Sequence, residues 1–361
     1  MASSKSVHMN PGEAEVSYAR NSTVQNAEQN RMKPIIEEAV ISLLESSKPD
    51  SSMVITDLGC SSGPNALALV STAVDAMIHH CRLRGHAPQE ICVLLNDLPD
   101  NDFNNVARRL VEFQQRFQSF CQVVTGIVPG SFHRRLFTSH SLNLVLSSNS
   151  LHWLSEAPED LRKNGIPVYD NDEDVRRARR PRVLKAYAQQ FRKDFTLFLK
   201  LRAQEMAPGG RILFSLIGWS ADNLPTHSNL IWDYVMVILN DMASRGVICR
   251  EKVDSFYVPV HGPSDKELRE IIEDERSFKI TKMQVHDFMS VMDTGLITPK
   301  MWALRTRAIF EPIISQHFGQ SEEVMDEFMR TLEYHMTLRS FLDATAIRNR
   351  VSLCLSLTKS I

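Results

Sequence analysis

The stretch DLGCSSGPN, residues 57–65, places an acid, two glycines and small polar residues between a strand-like run and a helix-like run. Gly59 and Gly63 permit positive φ angles and let a ligand approach the backbone closely. Their G-x-x-x-G spacing differs from the G-x-G-x-x-G of dinucleotide sites, and Pro64 removes an amide that a pyrophosphate would use. Asp57 would repel phosphate and attract a cationic group. The stretch is therefore either a structural tight turn or a site for a phosphate-free, positively charged nucleoside, such as S-adenosylmethionine.

A second acid follows the next apolar run, Ile91–Asn96, which is typical of a buried strand. Asp97 stands at the end of that run, where a carboxylate can accept hydrogen bonds from the ribose hydroxyls of a nucleoside. The number of residues between Asp57 and Asp97 is about twice the number between the corresponding positions of dinucleotide-binding folds, because a long helix and a loop lie between the two acids. Together with the glycine turn, Asp97 favours an adenosyl ligand over a purely structural turn.

The elements that would position these residues are indicated by an alternation of apolar and amphipathic segments in the first half of the chain. Strands are predicted at 53–58, 91–96, 122–127, 142–147 and 211–217, and helices at 66–84, at 102–117 and from Pro181 to the Pro-Gly-Gly at 208–210. Such alternation with short connections predicts an α/β fold, a Rossmann-like and mainly parallel sheet with helices on both faces.

The pattern changes after Gly218, where helices are predicted at 230–245 and 299–318, and two segments, 278–285 and 351–357, are expected to return to the sheet. The run DNDEDVRRARRPR at 170–182 is interpreted as a solvated loop, with a regulatory or partner patch as the alternative. The predicted organisation has a ligand-binding α/β core with an N-terminal lid at 1–150, a loop insertion at 151–180, more core at 181–218, a mainly helical cap at 219–349 and a final core strand at 350–361.

Composition and charge argue against several classes of partner. The 361 residues carry 41 Lys and Arg against 43 Asp and Glu, which gives no electrostatic reason to expect nucleic acid or an anionic membrane. No run of about 18 apolar residues could span a bilayer, and no apolar segment typical of a secretory signal is visible. Six cysteines without a C-x-x-C pair favour free thiols in a reducing compartment. A cytoplasmic location is expected.

Several long stretches together closely resemble the plant SABATH methyltransferases, which use S-adenosylmethionine to methylate carboxyl groups of hormones and small aromatic acids, or in some members xanthine nitrogens. The matching stretches are HMNPGEAEVSYARNSTVQ at 8–25, DLGCSSGPN at 57–65, LNDLPDNDFN at 95–104, PGSFHRRLF at 129–137, SSNSLHWLS at 147–155, FEPIISQHFG at 310–319 and SLTK at 356–359. They occur in the family's order and cover nearly the whole chain. The resemblance implies a methyltransferase sheet with a mostly helical cap, a small carboxylic acid as substrate and a homodimer.

The resemblance also implies roles for individual residues. The cofactor would be held at its methionine end by Tyr18, Asp57, Gly59, Cys60 and Asn65, at ribose and adenine by Asp97, Leu98, Ser131 and Phe132, and near sulfur by Ser148 and Asn149. Gln25 and Trp153 would grip the substrate carboxylate. The pocket would be shaped by Tyr18, His152, Ile217, Ile231, Trp232, His261 and Thr306. The N-terminal segment would fold over the cofactor as a lid that excludes water.

Methylation of a carboxyl group needs no catalytic base. A carboxylic acid with a pKa near about 4 is already ionised at neutral pH, and its oxygen is the nucleophile. The carboxylate loses its charge in the transition state, so strong charge pairing would be counterproductive. Neutral donors such as the Gln25 amide and the Trp153 indole N–H therefore suit the reaction better than an arginine or lysine clamp. The C-S-S-G stretch at 60–63 does not match the G-x-S-x-G motif of a nucleophile elbow, so it gives no indication of a nucleophilic serine.

Some positions depart from the family pattern. Four pocket positions differ from salicylate-preferring members, and the differences make the pocket more polar or roomier. Those members carry Met where this chain has His152 and Thr306, and Tyr where it has Asn149 and His261. Indole-3-acetate, jasmonate, a benzoate or anthranilate, and a terpenoid acid stay open as substrates. Some members bind Mg²⁺ at the pocket rim, and the counterparts here are Asn164, Asp254 and Phe256. The last asparagine of that pattern is replaced by Tyr257.

Three other interpretations stay open beside a carboxyl O-methyltransferase. An N-methyltransferase of a purine-like ring is disfavoured by Gln25 and Trp153, because a neutral ring nitrogen does not need two donors. A catalytically silent protein that binds a small acid is disfavoured by the complete set of cofactor residues. An NAD-dependent enzyme is disfavoured by the missing third glycine.

Overall fold

The structure, a computed structural model, describes residues 8–46, 52–85, 90–221, 232–291, 298–319, 321–338 and 350–360. Its strands are β1 (Met53–Leu58), β2 (Ile91–Asp97), β3 (Val123–Pro129), β4 (Leu142–Ser148), β5 (Met206–Trp219), β6 (Phe278–Asp287) and β7 (Arg350–Lys359). They form one sheet in the order β3-β2-β1-β4-β5-β7-β6. The predicted α/β fold is therefore confirmed, including the two segments expected to return to the sheet.

Strand pairing brings the predicted ligand-binding ends together. β1 pairs in parallel with β2 and β4, and β4 pairs in parallel with β5, whereas β7 runs antiparallel between β5 and β6. Asp57 lies opposite Leu95 of β2 and Leu146 of β4. Because parallel strands end at one edge, Asp97 and Ser148 flank the glycine turn that follows β1.

The helices are α1 (Tyr18–Asn21), α2 (Thr23–Ser46), α3 (Ala68–Leu83), α4 (Phe103–Phe117), α5 (Glu159–Lys163), α6 (Glu173–Glu205), α7 (Asp233–Ser244), α8 (Arg250–Asp254), α9 (Asp265–Glu275), α10 (Pro299–Phe318) and α11 (Glu322–Thr337). Short 3₁₀ turns occupy Pro64–Leu67 and Phe288–Val291. These bounds match most helices that the sequence predicts to within a few residues.

Helices cover both faces of the sheet and make two hydrophobic cores. One core packs α2, α3 and α4 against the sheet, and the other packs α6 against the opposite face and extends through α7, α9, α10 and α11. Leu144 and Val145 are neighbours on β4 and belong to different cores, as expected when successive side chains point to opposite faces. Burial on both faces explains why the central strands read as continuous apolar runs.

The charged run at 170–182 is not the solvated loop that its composition predicts. From Glu173 onward it is the start of α6, where the Asp172 carboxylate caps the helix by accepting from the N–H groups of Asp174 and Val175. Pro181, predicted to open the helix, lies inside it. Arg180 is only 2% exposed, so the run hides a buried cation that its polar composition does not reveal.

Two expectations from composition, on the cysteines and on membrane spans, can be compared with the described residues. All six cysteines are free thiols, and Cys60, Cys81 and Cys354 are buried, whereas Cys249 is exposed. Among the described helices, none combines the length and the apolar character that a bilayer crossing requires.

Candidate functional site

A cavity of about 530 Å³ opens where the strands β1, β2 and β4 end. Its volume falls in the range of small-molecule and cofactor sites. Ten of the residues predicted to hold a cofactor line it: Tyr18, Gly59, Cys60, Asn65, Asp97, Leu98, Ser131, Phe132, Ser148 and Asn149. The parallel sheet therefore gathers, at one edge, residues that are far apart in sequence.

The two glycines of the turn are required by close packing as well as by backbone angle. At Gly59, φ is +79° and a Cβ would lie 2.3 Å from the Ser150 Oγ. At Gly63, φ is +84° and a Cβ would lie 2.7 Å from the Cβ of Ala19. The first glycine thus lets the turn sit against the segment after β4, and the second lets the N-terminal helix α1 sit against the turn.

The Asp97 carboxylate is fixed by backbone hydrogen bonds. The Ser61 N–H donates to its Oδ2 at 2.6 Å, and the Leu98 N–H donates to its Oδ1 at 2.7 Å. Burial raises the pKa of Asp97, and these two hydrogen bonds oppose the shift. Each carboxylate oxygen retains a further lone pair, so this side chain can still accept hydrogen bonds from ligand hydroxyls at the cavity wall.

Asp57 differs from its prediction, because it does not line the cavity. It is 2% exposed, and its Oδ1 has no hydrogen-bond partner among the described residues. Burial raises its pKa well above the ordinary value, and the nearby Asp97 charge adds to the shift. A buried carboxylate of this kind is costly without compensation. A cation bound at the adjacent cavity would lower that cost, which agrees with a positively charged ligand.

Two wall residues other than glycine adopt the left-handed backbone conformation. Ser61 and Asn149 both have φ of +55°, a conformation that costs roughly 1–3 kcal/mol and is concentrated at functional sites. In this conformation the Ser61 N–H reaches the Asp97 carboxylate, and the Asn149 N–H donates to the Ser215 carbonyl at 2.9 Å. Ser61 was not among the predicted cofactor residues.

The loop that carries Ser131 and Phe132 is anchored by a buried ion pair at the end of α6. The Arg202 guanidinium donates to the Phe132 carbonyl at 3.0 Å and to the Glu205 carboxylate at 3.0 Å. Glu205 also accepts from the Leu136 N–H at 2.7 Å. Sequence reasoning missed this anchor because Arg202 and Glu205 read as ordinary helix surface residues.

A smaller cavity of about 80 Å³ adjoins the larger one. Met9, Tyr18, Asn149 and Trp153 line both cavities. These four shared residues mark a junction, where a molecule in one cavity would face a molecule in the other. Six of the predicted substrate residues line the smaller cavity: Tyr18, Gln25, His152, Trp153, Ile217 and Thr306.

Polar atoms in the smaller cavity are available for a ligand. Within the described part of the chain, the buried Gln25 Oε1 and His152 Nδ1 have no hydrogen-bond partner. Burial lowers the pKa of His152 to about 4, so its imidazole is neutral at physiological pH. The Trp153 ring packs 6.2 Å from that of Phe310, centroid to centroid, which orients the indole at the junction.

Two of the predicted pocket residues that the structure describes do not line either cavity. Trp232 is fully buried, and its indole N–H donates to the Val260 carbonyl at 2.7 Å. His261 packs 5.3 Å from the Phe191 ring and pairs with Glu267 at 3.3 Å. Both support the cavity wall from behind rather than shaping its surface. Ile231 lies outside the described residues.

Several wall residues of the smaller cavity were not predicted. They are Met9, Val24, Tyr234, Val260, Phe288, Trp302, Arg305, Ile309, Phe310 and Arg350. Two of them are arginines, which the expectation of uncharged donors did not include. The sequence could have indicated both arginines, because each is a charged residue within an otherwise apolar pattern. Arg305 lies in α10, and Arg350 lies where β7 begins.

The N-terminal segment contributes to the walls of both cavities. The Asn10 N–H donates to the Ala308 carbonyl at 2.9 Å, and the Tyr18 N–H donates to the Asn10 carbonyl at 3.0 Å. The Asn10 side chain also donates to Glu311 at 2.6 Å. This segment therefore connects the α/β core to α10 and contributes Met9 and Tyr18 to the junction.

The predicted magnesium site is not supported. The Asn164 amide donates to the Asp160 side chain at 2.8 Å, and the Phe256 ring is buried against that of Phe318. The Tyr257 hydroxyl donates to the Leu161 and Ile166 carbonyls. No group of three or more His, Cys, Asp or Glu side chains that could hold a metal ion occurs in the residues that the structure describes.

Comparisons with known proteins agree with this geometry. The family model described as SAM dependent carboxyl methyltransferase matches residues 4–360. The probable jasmonic acid carboxyl methyltransferase 1 of Theobroma cacao is 37% identical over 338 residues, which cover 89% of this chain and 90% of that protein. The 7-methylxanthine methyltransferase PCS1 of Camellia ptilophylla is 37% identical over 328 residues, which cover 88% of this chain and 89% of that protein. A solved loganic acid methyltransferase with SAH has a TM-score of 0.83 at 28% identity and covers 98% of this chain and 99% of that chain.

Proposed function

This chain belongs to the family of SAM-dependent carboxyl methyltransferases, and we propose that it converts the carboxylate of a small plant acid with one aromatic ring into a methyl ester. The observation that carries this proposal is the junction, where Trp153, Tyr18 and Asn149 line both cavities. Two reactants bound side by side at such a junction would meet without leaving the protein.

The larger cavity fits the methyl donor. Asp97 would accept hydrogen bonds from ribose, and its backbone hydrogen bonds and the anchored loop of Ser131 and Phe132 support this role. The uncompensated Asp57 carboxylate suits a positively charged donor, whereas a phosphate would be repelled. S-adenosylmethionine supplies an electrophilic methyl group on a sulfonium that leaves as a neutral thioether.

The chain's own contribution is orientation and exclusion of water. Gln25 and Trp153 are uncharged donors that would hold the carboxylate without stabilising its negative charge too strongly. Fixing the reacting atoms in line can supply about 7–11 kcal/mol. No general base is needed, and the neutral His152 offers a hydrogen-bonding edge rather than a second charge. The covering N-terminal segment keeps water from the junction.

The volume of the smaller cavity favours small acids. It is about 80 Å³, less than the roughly 150 Å³ of an engineered cavity that holds benzene. Side chains must therefore move even for a one-ring acid, and more wall residues must move for jasmonate or a terpenoid acid. Benzoate and anthranilate types are favoured for that reason.

We expect a methyl-transfer assay with labelled donor to give base-labile methyl esters from benzoate or anthranilate. Gln25→Ala and Trp153→Phe should each lower kcat/KM by about 10- to 150-fold, since each loses a hydrogen bond to a charged group worth about 1.5–3 kcal/mol. Both variants should bind S-adenosylhomocysteine as the parent chain does.

Two outcomes would contradict this proposal. One is transfer of label to 7-methylxanthine but to no acid, which would indicate a ring N-methyltransferase. The other is loss of S-adenosylhomocysteine binding in both variants, which would remove Gln25 and Trp153 from the substrate side. The exposed Gln316→Ala in α10 serves as a matched glutamine control.

A further inference from the structure

Two arginines lie in the wall of the smaller cavity and not in that of the larger one. Arg305 comes from α10, and Arg350 opens β7, where it pairs with Trp219. Arg350 is 5% exposed. Placing two guanidinium groups close together in a buried wall raises the cost of burying each charge, and an anion bound between them would lower that cost.

The surroundings of the two arginines are mainly aromatic. The Arg350 guanidinium carbon lies 6.0 Å from the Tyr234 ring centroid, and that of Arg305 lies 5.1 Å from the Trp302 ring centroid. The Asp233 carboxylate also faces Arg350, but it accepts hydrogen bonds on both oxygens from Arg180. Two guanidinium groups in one cavity wall are suited to an anionic group of a ligand.

Both arginines keep their charge at neutral pH. Burial lowers the pKa of Arg350 to about 10, and the neighbouring Arg305 charge contributes to the shift. Burial also lowers the pKa of Arg305. The repulsion within the pair is therefore present under physiological conditions.

An independent observation points to an acceptor at the same wall. Trp302 is 3% exposed and lines the smaller cavity, and its Nε1 has no hydrogen-bond partner among the residues described. An indole N–H is a donor only, and leaving it buried and unsatisfied costs about 1–3 kcal/mol. A ligand oxygen would satisfy it.

We propose that Arg305, Arg350 and Trp302 form a second carboxylate subsite, so that the preferred substrate is a small dicarboxylic acid that is methylated on one end. This inference rests on the proposed function and narrows its substrate class. Guanidinium forks match carboxylate geometry and bind it through two hydrogen bonds. The reacting carboxylate belongs at Gln25 and Trp153, because strong ion pairing would oppose its loss of charge.

The reaction balances without a further reactant. One oxygen of the reacting carboxylate forms a C–O bond to the methyl carbon, the C–S bond breaks with its electron pair on sulfur, and no proton moves. The second carboxylate stays an anion at the arginines throughout. The product is a monoester with one remaining negative charge.

The test compares benzoate with benzene-1,3- and benzene-1,4-dicarboxylate, and adds monomethyl terephthalate, whose far end is uncharged. We expect kcat/KM for the better dicarboxylate to exceed that for benzoate by at least tenfold. Arg305→Gln and Arg350→Gln should each lower the ratio of kcat/KM for the dicarboxylate to kcat/KM for benzoate by at least about fivefold. Trp302→Phe should reduce the preference more weakly, and the exposed Arg330→Gln should leave it unchanged.

Equal rates for benzoate and the dicarboxylates would overturn the subsite, and so would an Arg305→Gln variant that loses all acids equally while it still binds S-adenosylhomocysteine. If no acid at all is methylated, the proposed function itself fails. The subsite is then decided by titrating terephthalate into the protein saturated with S-adenosylhomocysteine. Binding that Trp302→Phe weakens would support it, and no binding by the parent chain would overturn it.

Discussion

Individual polar groups reveal the site through what they lack in the protein alone. Asp57 Oδ1, Gln25 Oε1, His152 Nδ1 and Trp302 Nε1 are buried, and none has a hydrogen-bond partner in the described ranges. Native proteins satisfy nearly all buried polar groups. A cationic donor in the larger cavity would offset the Asp57 charge, and a carboxylate could accept from Trp302 Nε1 and from His152 Nδ1 in the tautomer that carries its proton there. Gln25 Oε1 only accepts hydrogen bonds, so it needs a donor group that an ionised carboxylate does not have.

The pH dependence of stability should reveal the free-energy cost of burying the charged Asp57 carboxylate. Its pKa is raised well above the ordinary 3.8 by burial and by Asp97, so the folded chain binds a proton more tightly than the unfolded one. Stability contributed by this group is therefore lost as pH rises from about 3.8 through the raised folded value. Asp57→Asn removes that cost, and the melting temperature of the ligand-free variant should exceed the parent's by about 2 °C or more at pH 8.

The same comparison at pH 5 should give a smaller difference in melting temperature, with the exposed Asp274→Asn as the control. Asp57→Asn should also bind S-adenosylhomocysteine more weakly, because the stability is gained at a group that the ligand uses. A variant that is less stable than the parent at pH 8 would show that the Asp57 charge is already compensated.

At the scale of elements, apolar pattern predicted what packing required. The central strands β1, β2, β4 and β5 were predictable because both of their faces are largely buried, and the core helices because their apolar residues recur with helical spacing. The start of α6 was not predictable, because Arg180 looks like a surface cation until Asp233 is brought to it from a different part of the chain. Long-range ion pairs leave no local signal in sequence.

The buried ion pair between Arg180 and Asp233 should be important for joining α6 to α7. Both side chains are nearly inaccessible, and removing one partner of a buried ion pair typically costs about 3–5 kcal/mol. Arg180→Met should therefore lower the free energy of unfolding by about that amount in urea titrations. The double variant Arg180→Met, Asp233→Leu should recover only part of the loss, because Asp233 also interacts with Arg350, and the exposed Arg177→Met should cost little. A single-variant cost below about 1 kcal/mol would refute this role.

At the scale of the whole molecule, the site is an assembly of distant segments. Most of the predicted residues that line the larger cavity could be predicted as a group, because each follows a strand end or belongs to a rare family stretch, and parallel strands end at one edge. The smaller cavity was predictable only in part. Its wall joins the N-terminal segment, the segment after β4, α10 and the start of β7, so Arg305, Arg350 and Trp302 meet only after the cap has folded onto the sheet.

The central claim is that the junction of the two cavities brings an anionic oxygen, held by uncharged donors, in line with the donor sulfur. A crystal structure with S-adenosylhomocysteine and the best acid of the assay tests this directly. We expect a carboxylate within hydrogen-bonding distance of Gln25 and of the Trp153 indole, with one oxygen directed at the sulfur. An acid bound with its carboxylate turned away from sulfur, or a cavity beside Trp153 closed by the bound nucleoside, would contradict it.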